Sequence, residues 1–183
     1  MGRINPLRSY SGKKPPMDLD EGDFRILEAL QTEGRLSNQE LAERVGMSTS
    51  PCWRRVRRLE EVGVIQGYQA QIDRATVGLG VLAFIRVKID AHSQKEAQLF
   101  EQRVRELPEV VACYAIAGEA DFLLQVVTSD LDAYADFSMA TIRQLPRIKE
   151  MNTMLVLKEI KPLAPLPVKF GSAAPRRGGR KRD

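Results

Sequence analysis

The sequence has 183 residues, 28 Lys+Arg against 24 Asp+Glu, a formal net charge of +4 and 43% hydrophobic residues. That length suits one large domain or two small ones, and that apolar content supports packed cores and excludes global disorder. Apolar runs fall far short of the ~20 residues of a spanning helix, no apolar stretch follows the N-terminal basic residues as in a secretory signal, and two isolated cysteines with one histidine argue against disulfide frameworks and multi-histidine metal sites.

In chain order, residues 1–17 carry Arg3, Arg8, Lys13 and Lys14 among Pro, Gly and Ser, without any apolar period, and read as a disordered basic tail. Helical periods follow. Leu19, Phe24, Ile26, Leu27 and Leu30 mark a first helix, with Asp18 or Asp20 as N-cap and Gly34 at its end. Ser37-Asn38-Gln39-Glu40 is a capping box opening a short second helix, buried through Leu41, Ala42 and Val45. Gly46-Met47 is the turn. A third helix starts from Ser48, or from Ser50 with Pro51 in its first turn, and ends at Gly63. The domain is expected over 18–66, followed by a linker strand over 67–79.

From 80 to 160 the pattern is strand, helix, strand, strand, helix, strand. Val81, Ala83, Ile85, Val87 and Ile89 face one way, with Leu82 and Phe84 opposite. Ala97, Phe100, Val104 and Leu107 form a helical stripe before Pro108. Val110–Ala117 and Phe122–Val127 read as a hairpin. Leu131, Tyr134, Ser138 and Ile142 share a helical face, and Thr153–Leu157 is the last strand. This order is the βαββαβ, ferredoxin-like plan. Both helices cover one sheet face, so the apolar residues of the other are expected to be covered by a second subunit. Residues 161–183, with four prolines and then an Arg-Gly cluster, read as a second disordered basic tail. The tails hold the surplus charge. Residues 18–160 contain 17 basic and 23 acidic residues, a net −6.

Against that acidic background the third helix stands out. At about 100° per residue, Val56 and Leu59 fall within about 40° of Cys52, making an apolar seam. Ser50, Arg54, Arg57 and Arg58 fall on the opposite side, with Arg55 flanking the seam and Trp53 at the edge of the helical core. Between Ser48 and Leu59 there are four arginines and no acid. Guanidinium groups take phosphate oxygens bidentately or read guanine edges in the major groove. On the second helix of a capped helix–turn–helix they point to double-stranded DNA. Ser50, Arg54, Arg57 and Arg58 are the candidates for base contacts. Ser48, Thr49, Arg35 and Arg55 are the candidates nearer the backbone. Cys52 and Cys113 read as core residues, His92 as a surface residue, and no nucleophile–base pair or metal cluster is visible, so no catalytic or metal-binding residue is assigned.

The matching stretches are numerous and in order: Leu19-Asp20 with Asp23, Gly34-Arg35, Glu40-Leu41-Ala42, Ser50-Pro51-Cys52-Trp53-Arg54-Arg55-Val56, Leu59-Glu60, Gly63-Val64-Ile65, Gly67-Tyr68, Leu107-Pro108-Glu109-Val110, Gly118-Glu119-Ala120-Asp121-Phe122 and Thr153-Met154-Leu155-Val156-Leu157-Lys158. On these residues 18–160 resemble the Lrp/AsnC family of feast/famine transcription regulators. The resemblance implies an α+β chain with a winged helix–turn–helix and a ferredoxin-like effector domain. It further implies dimers assembling into octamers, an amino acid or related small molecule as effector rather than a bound cofactor, and no membrane partner. By the same resemblance the effector site falls on Gly118, Glu119, Ala120 and Asp121, with Leu131, Thr153 and Leu155 on the neighbouring wall. Ala120 stands where many relatives carry an aromatic residue, which reshapes the expected pocket. The alternatives to an effector-controlled regulator in the cytosol are an architectural DNA-wrapping protein and an amino-acid-binding regulatory subunit of an enzyme.

Overall fold

The computed structural model describes residues 18–90 and 94–168; both expected tails lie wholly or largely outside that range, as does His92. The chain forms two compact units, one containing residues up to Ala70 together with the segment from Leu163, the other Gln71–Pro162.

In the first unit α1 (Glu21–Thr32) is capped by Asp20, α2 (Asn38–Arg44) by Ser37, and α3 (Thr49–Glu61) follows Ser48. The Ser37 box closes as its sequence dictates: the Ser37 amide donates to Glu40 Oε2 at 2.8 Å and the Glu40 amide to Ser37 Oγ at 3.2 Å. A second box, Asp20 with Asp23, opens α1. Gly46 turns the chain between α2 and α3 at φ +65°, where a Cβ is strained. Ile26, Ala29, Leu41, Ala42, Val45, Cys52, Val56 and Leu59 form one buried core. The amide side chain of Gln31 grips the Leu166 backbone from both sides, accepting its N–H at 2.7 Å and donating to its carbonyl at 3.2 Å. The segment read from sequence as the start of a free tail thus belongs, at Leu166, with α1 of the first unit. Its apolar side chains had given no hint of this, because the contact is made through backbone groups.

The capping carboxylates make this unit acid-sensitive. The Arg55 guanidinium and then the Asp23 amide hold Asp20 below the usual carboxylate range, and the Ser37 amide and then its hydroxyl do the same for Glu40. Folded values below unfolded ones mean stability that is complete above the unfolded range, about pH 4 to 4.5, and lost as pH falls through it. Melting temperature followed by circular dichroism is expected to fall below about pH 4, and Glu40→Gln to blunt part of that fall.

In the second unit β1 (Val81–Ile89), α4 (Gln94–Arg105), β2 (Val110–Ala115), β3 (Phe122–Thr128), α5 (Leu131–Ala140), a short 3₁₀ turn at Ile142–Gln144 and β4 (Ile148–Leu155) give the expected βαββαβ order. The sheet order is β2-β3-β1-β4, every pairing antiparallel, with Ile85 opposite both Leu124 and Thr153. Ala83, Ile85 and Val87 of β1 and Phe122, Leu124 and Val126 of β3 meet Phe100 and Val104 of α4 and Tyr134 and Phe137 of α5. Leu82 and Phe84 point to the other face, where Tyr114 and Met154 are exposed.

Several expectations need correction. Residues 67–79 form no strand; they run into a turn in which Asp73 accepts the Thr76 amide at 2.7 Å and Arg74 donates to the Leu79 and Gly80 carbonyls. The last strand starts at Ile148, not Thr153, and stops at Leu155, leaving Leu157 98% exposed. As an edge strand it alternates polar residues such as Glu150 and Asn152 that an apolar scan passes over. Cys113 is exposed on edge strand β2 rather than in the core. Leu131, as the first residue of α5, is exposed instead of sharing the buried face of Tyr134, Ser138 and Ile142.

Candidate nucleic-acid interface and effector site

Helix α3 is anchored by Cys52 and Leu59, both fully buried, and by Val56. Burial pushes the Cys52 thiol above its usual range, which keeps it inert. Ser48, Thr49, Ser50, Arg54 and Arg57 are exposed. Ser48 makes no side-chain cap bond, so the first-turn amides of α3 are left for other acceptors. Arg54 forms no ion pair among the described residues. Arg57 lies 5.6 Å above the Trp53 ring, and its Nη2 is 3.4 Å from Glu61. Trp53, expected at the edge of the helical core, is 45% exposed. Arg35 is exposed between α1 and α2.

The remaining arginines of α3 are differently placed. Arg55 Nη1 lies 2.7 Å from Asp20 Oδ2 and 2.9 Å from Asp23 Oδ1, while Arg58 Nη2 pairs with Asp23 Oδ2. The Asp23 side chain is 0% exposed. A buried carboxylate needs such partners, since an unpaired one carries a large desolvation cost. Arg58, expected to face bases, is held at one guanidinium nitrogen by Asp23 of α1, while its side chain stays 47% exposed. The sequence signal was present only in retrospect, as acids three apart at 20 and 23 and arginines three apart at 55 and 58.

The expected effector residues do not converge within one chain. Gly118 has φ +139° and open space where a Cβ would sit. Glu119 reaches Arg86 at 3.5 Å, and Ala120 is buried. Asp121 ties its loop to β1: its Oδ2 accepts the Ile89 amide at 2.8 Å and its own amide donates to Val87 at 3.0 Å. Leu131, by contrast, follows the far end of β3, about 20 Å away at ~3.3 Å per strand residue. Thr153 bonds the Tyr134 hydroxyl on the helix-covered face, and Leu155 is partly exposed. Beside the loop lies an open cavity of about 330 Å³ lined by Arg86, Lys88, Glu119, Glu150 and Asn152, with Ala120 at its wall. Sequence reading missed Arg86 and Lys88, although charged residues alternating with core positions on β1 mark its open face. Among the described residues no cluster of His, Cys, Asp and Glu is placed to hold a metal, and no helix is long and apolar enough to cross a membrane.

A capped helix–turn–helix presenting cationic and hydroxyl groups, in a chain that also carries a ferredoxin-like sensing fold, defines a two-domain transcriptional regulator. Residues 19–66 match the winged helix-turn-helix DNA-binding family and residues 82–166 the Lrp/AsnC ligand binding domain. The leucine-responsive regulatory protein of Rhizobium meliloti is 39% identical over 145 residues, 79% of this chain and 93% of that protein. Its Escherichia coli K12 counterpart is 37% identical over 151 residues, 82% and 92% of the two chains. Among solved structures, a transcriptional regulator of Neisseria meningitidis in complex with L-Met superposes with TM-score 0.77 at 42% identity, covering 81% of this chain and 96% of that one. An AsnC family regulator from Agrobacterium tumefaciens gives TM-score 0.77 at 36% identity, with 81% and 97% coverage. The chain belongs to the Lrp/AsnC family of transcriptional regulators, with a DNA-binding helix–turn–helix and a ligand-binding domain.

Proposed function

We propose that this regulator reads a specific duplex through Ser50, Arg54 and Arg57, with Ser48, Thr49 and Arg35 toward the phosphates, and that an amino acid controls this binding. The observation that carries the reading is Arg54, exposed and without an ion pair among the described residues on a helix whose opposite seam is buried. The Neisseria relative holds L-Met, which supports an amino-acid effector here. Because Gly118–Asp121 and Leu131 lie at opposite ends of β3, a site using both needs more than one copy of the chain. Dimers or larger rings supply that, and the face on which Tyr114 and Met154 are exposed beside the half-buried Phe84 is the surface for the first pairing. The protein works in the cytosol as a regulator and not as an enzyme, in keeping with its relatives.

Thermal unfolding of the full chain against each of the twenty amino acids tests the effector reading. An amino acid at 100-fold its Kd is expected to stabilise by about 2.7 kcal/mol. A flat panel removes the amino-acid reading and leaves the DNA reading standing.

A further inference from the structure

We infer that Asp23 is a positioning residue for DNA recognition: with Asp20 it withdraws Arg55 and Arg58 from the DNA-contacting set and fixes how α3 is rotated. Both oxygens of Asp23 are committed. Oδ1 takes Arg55, and Oδ2 takes Arg58 together with the Asp20 backbone amide. Asp20 adds a forked contact to Arg55 Nη1 at 2.8 and 2.7 Å. Arg55 and Arg58 are three residues apart, so they leave the same flank of α3 about one turn from each other. Two anchor points on one flank, drawn to one buried carboxylate, set both the rotation of a helix about its axis and its position along that axis. One anchor would set neither. The same carboxylate belongs to the capping box that starts α1, so the entry of α1 and the facing of α3 are coupled through Asp23.

The charge distribution follows. Two aspartates against two arginines make a locally neutral cluster. Of the four arginines of α3 only Arg54 has no ion pair among the described residues, and Arg57, 3.4 Å from the exposed Glu61, is held more loosely than Arg55 and Arg58. This rests on the DNA-binding role of α3, and its signature is in the salt dependence of binding, to which only phosphate-contacting cations contribute.

The test is the affinity of the full chain for a non-specific duplex at a series of salt concentrations. Arg58→Ala is expected to leave the slope of log K against log salt unchanged. Asp23→Asn, which frees Arg58 while Asp20 still holds Arg55, is expected to steepen it by about one unit, at about 0.9 per phosphate, and to reduce the ratio of specific to non-specific affinity at least tenfold. Asp20→Asn leaves Arg55 on Asp23 Oδ1 and is expected to leave the slope unchanged, so it serves as the folded control; should Asp23→Asn fail to fold, the Arg58→Ala slope decides. A slope made shallower by about one in Arg58→Ala would overturn the inference, since Arg58 would already be on a phosphate; an unchanged slope in folded Asp23→Asn would overturn it too. If the unsubstituted chain binds no duplex, the DNA reading fails instead. The clamp is then decided by a double-mutant cycle of Asp23→Asn and Arg58→Gln in thermal stability, where zero coupling overturns it.

Discussion

Arg54→Ala is expected to weaken binding to a specific duplex by one to two powers of ten, about 1–3 kcal/mol for a lost bidentate base contact. Its melting temperature is expected to stay within experimental error of the unsubstituted chain. The side chain is exposed and makes no ion pair among the described residues, so its removal uncovers no core and orphans no charge. That separation of affinity from stability distinguishes Arg54 from its neighbours. Arg55→Ala strips a partner from the buried Asp23 and would confound the two quantities. Gel-shift titration on an operator recovered by genome-wide precipitation, with a scrambled duplex alongside, measures the effect. Unchanged operator affinity in a normally folded variant would remove Arg54 from the reading set.

Phe100→Ala carries the largest stability effect. The ring is 0% exposed, sits at the centre of the α4 face and tilts against Phe122 with ring centroids 4.6 Å apart. Losing a buried phenyl costs about 3–5 kcal/mol, through transfer and through the cavity left behind. Domains are stable by about 5–15 kcal/mol, so the second unit would be brought close to unfolding at ambient temperature. The core of the first unit shares no residue with that of the second. Effector response is therefore expected to fail before DNA binding does. Urea unfolding monitored by circular dichroism gives the cost, and a loss under 1 kcal/mol would mean that the surrounding side chains close the gap.

What could be read in advance was whatever is local along the chain. Ser37 and Glu40 announce their box because partners three residues apart must meet at a helix start. Cys52, Val56 and Leu59 announce the seam because helical period alone puts them together. The shift of period near residue 78 announces the alternating sheet and helices. Contacts made across sequence were out of reach. A helical wheel sent Arg58 outward, and its side chain is 47% exposed, but a wheel gives direction without neighbours and could not show the pair with Asp23, 35 positions away. The family resemblance grouped Leu131 with Gly118, and no local pattern showed that the seven residues of β3 put the two at opposite ends of the sheet within one chain. Nothing in an amphipathic or apolar pattern could have found Gln31 holding Leu166, since the grip is on backbone atoms 135 residues along the chain.

That grip also relocates the positive charge with which the sequence opened. The chain leaves the first unit at Ala70, builds the second, and is back with the first from Leu163. Lys169, Arg176, Arg177, Arg180, Lys181 and Arg182 follow Val168 in sequence, so their point of attachment is the first unit. Whatever path residues 169–183 take, they reach no farther than about 50 Å from Val168, at roughly 3.5 Å per residue. A label, tag or second binding module fused after Asp183 would start within that radius of Val168, on the DNA-binding unit. Its effective concentration there would be set by the length of chain that follows Leu166.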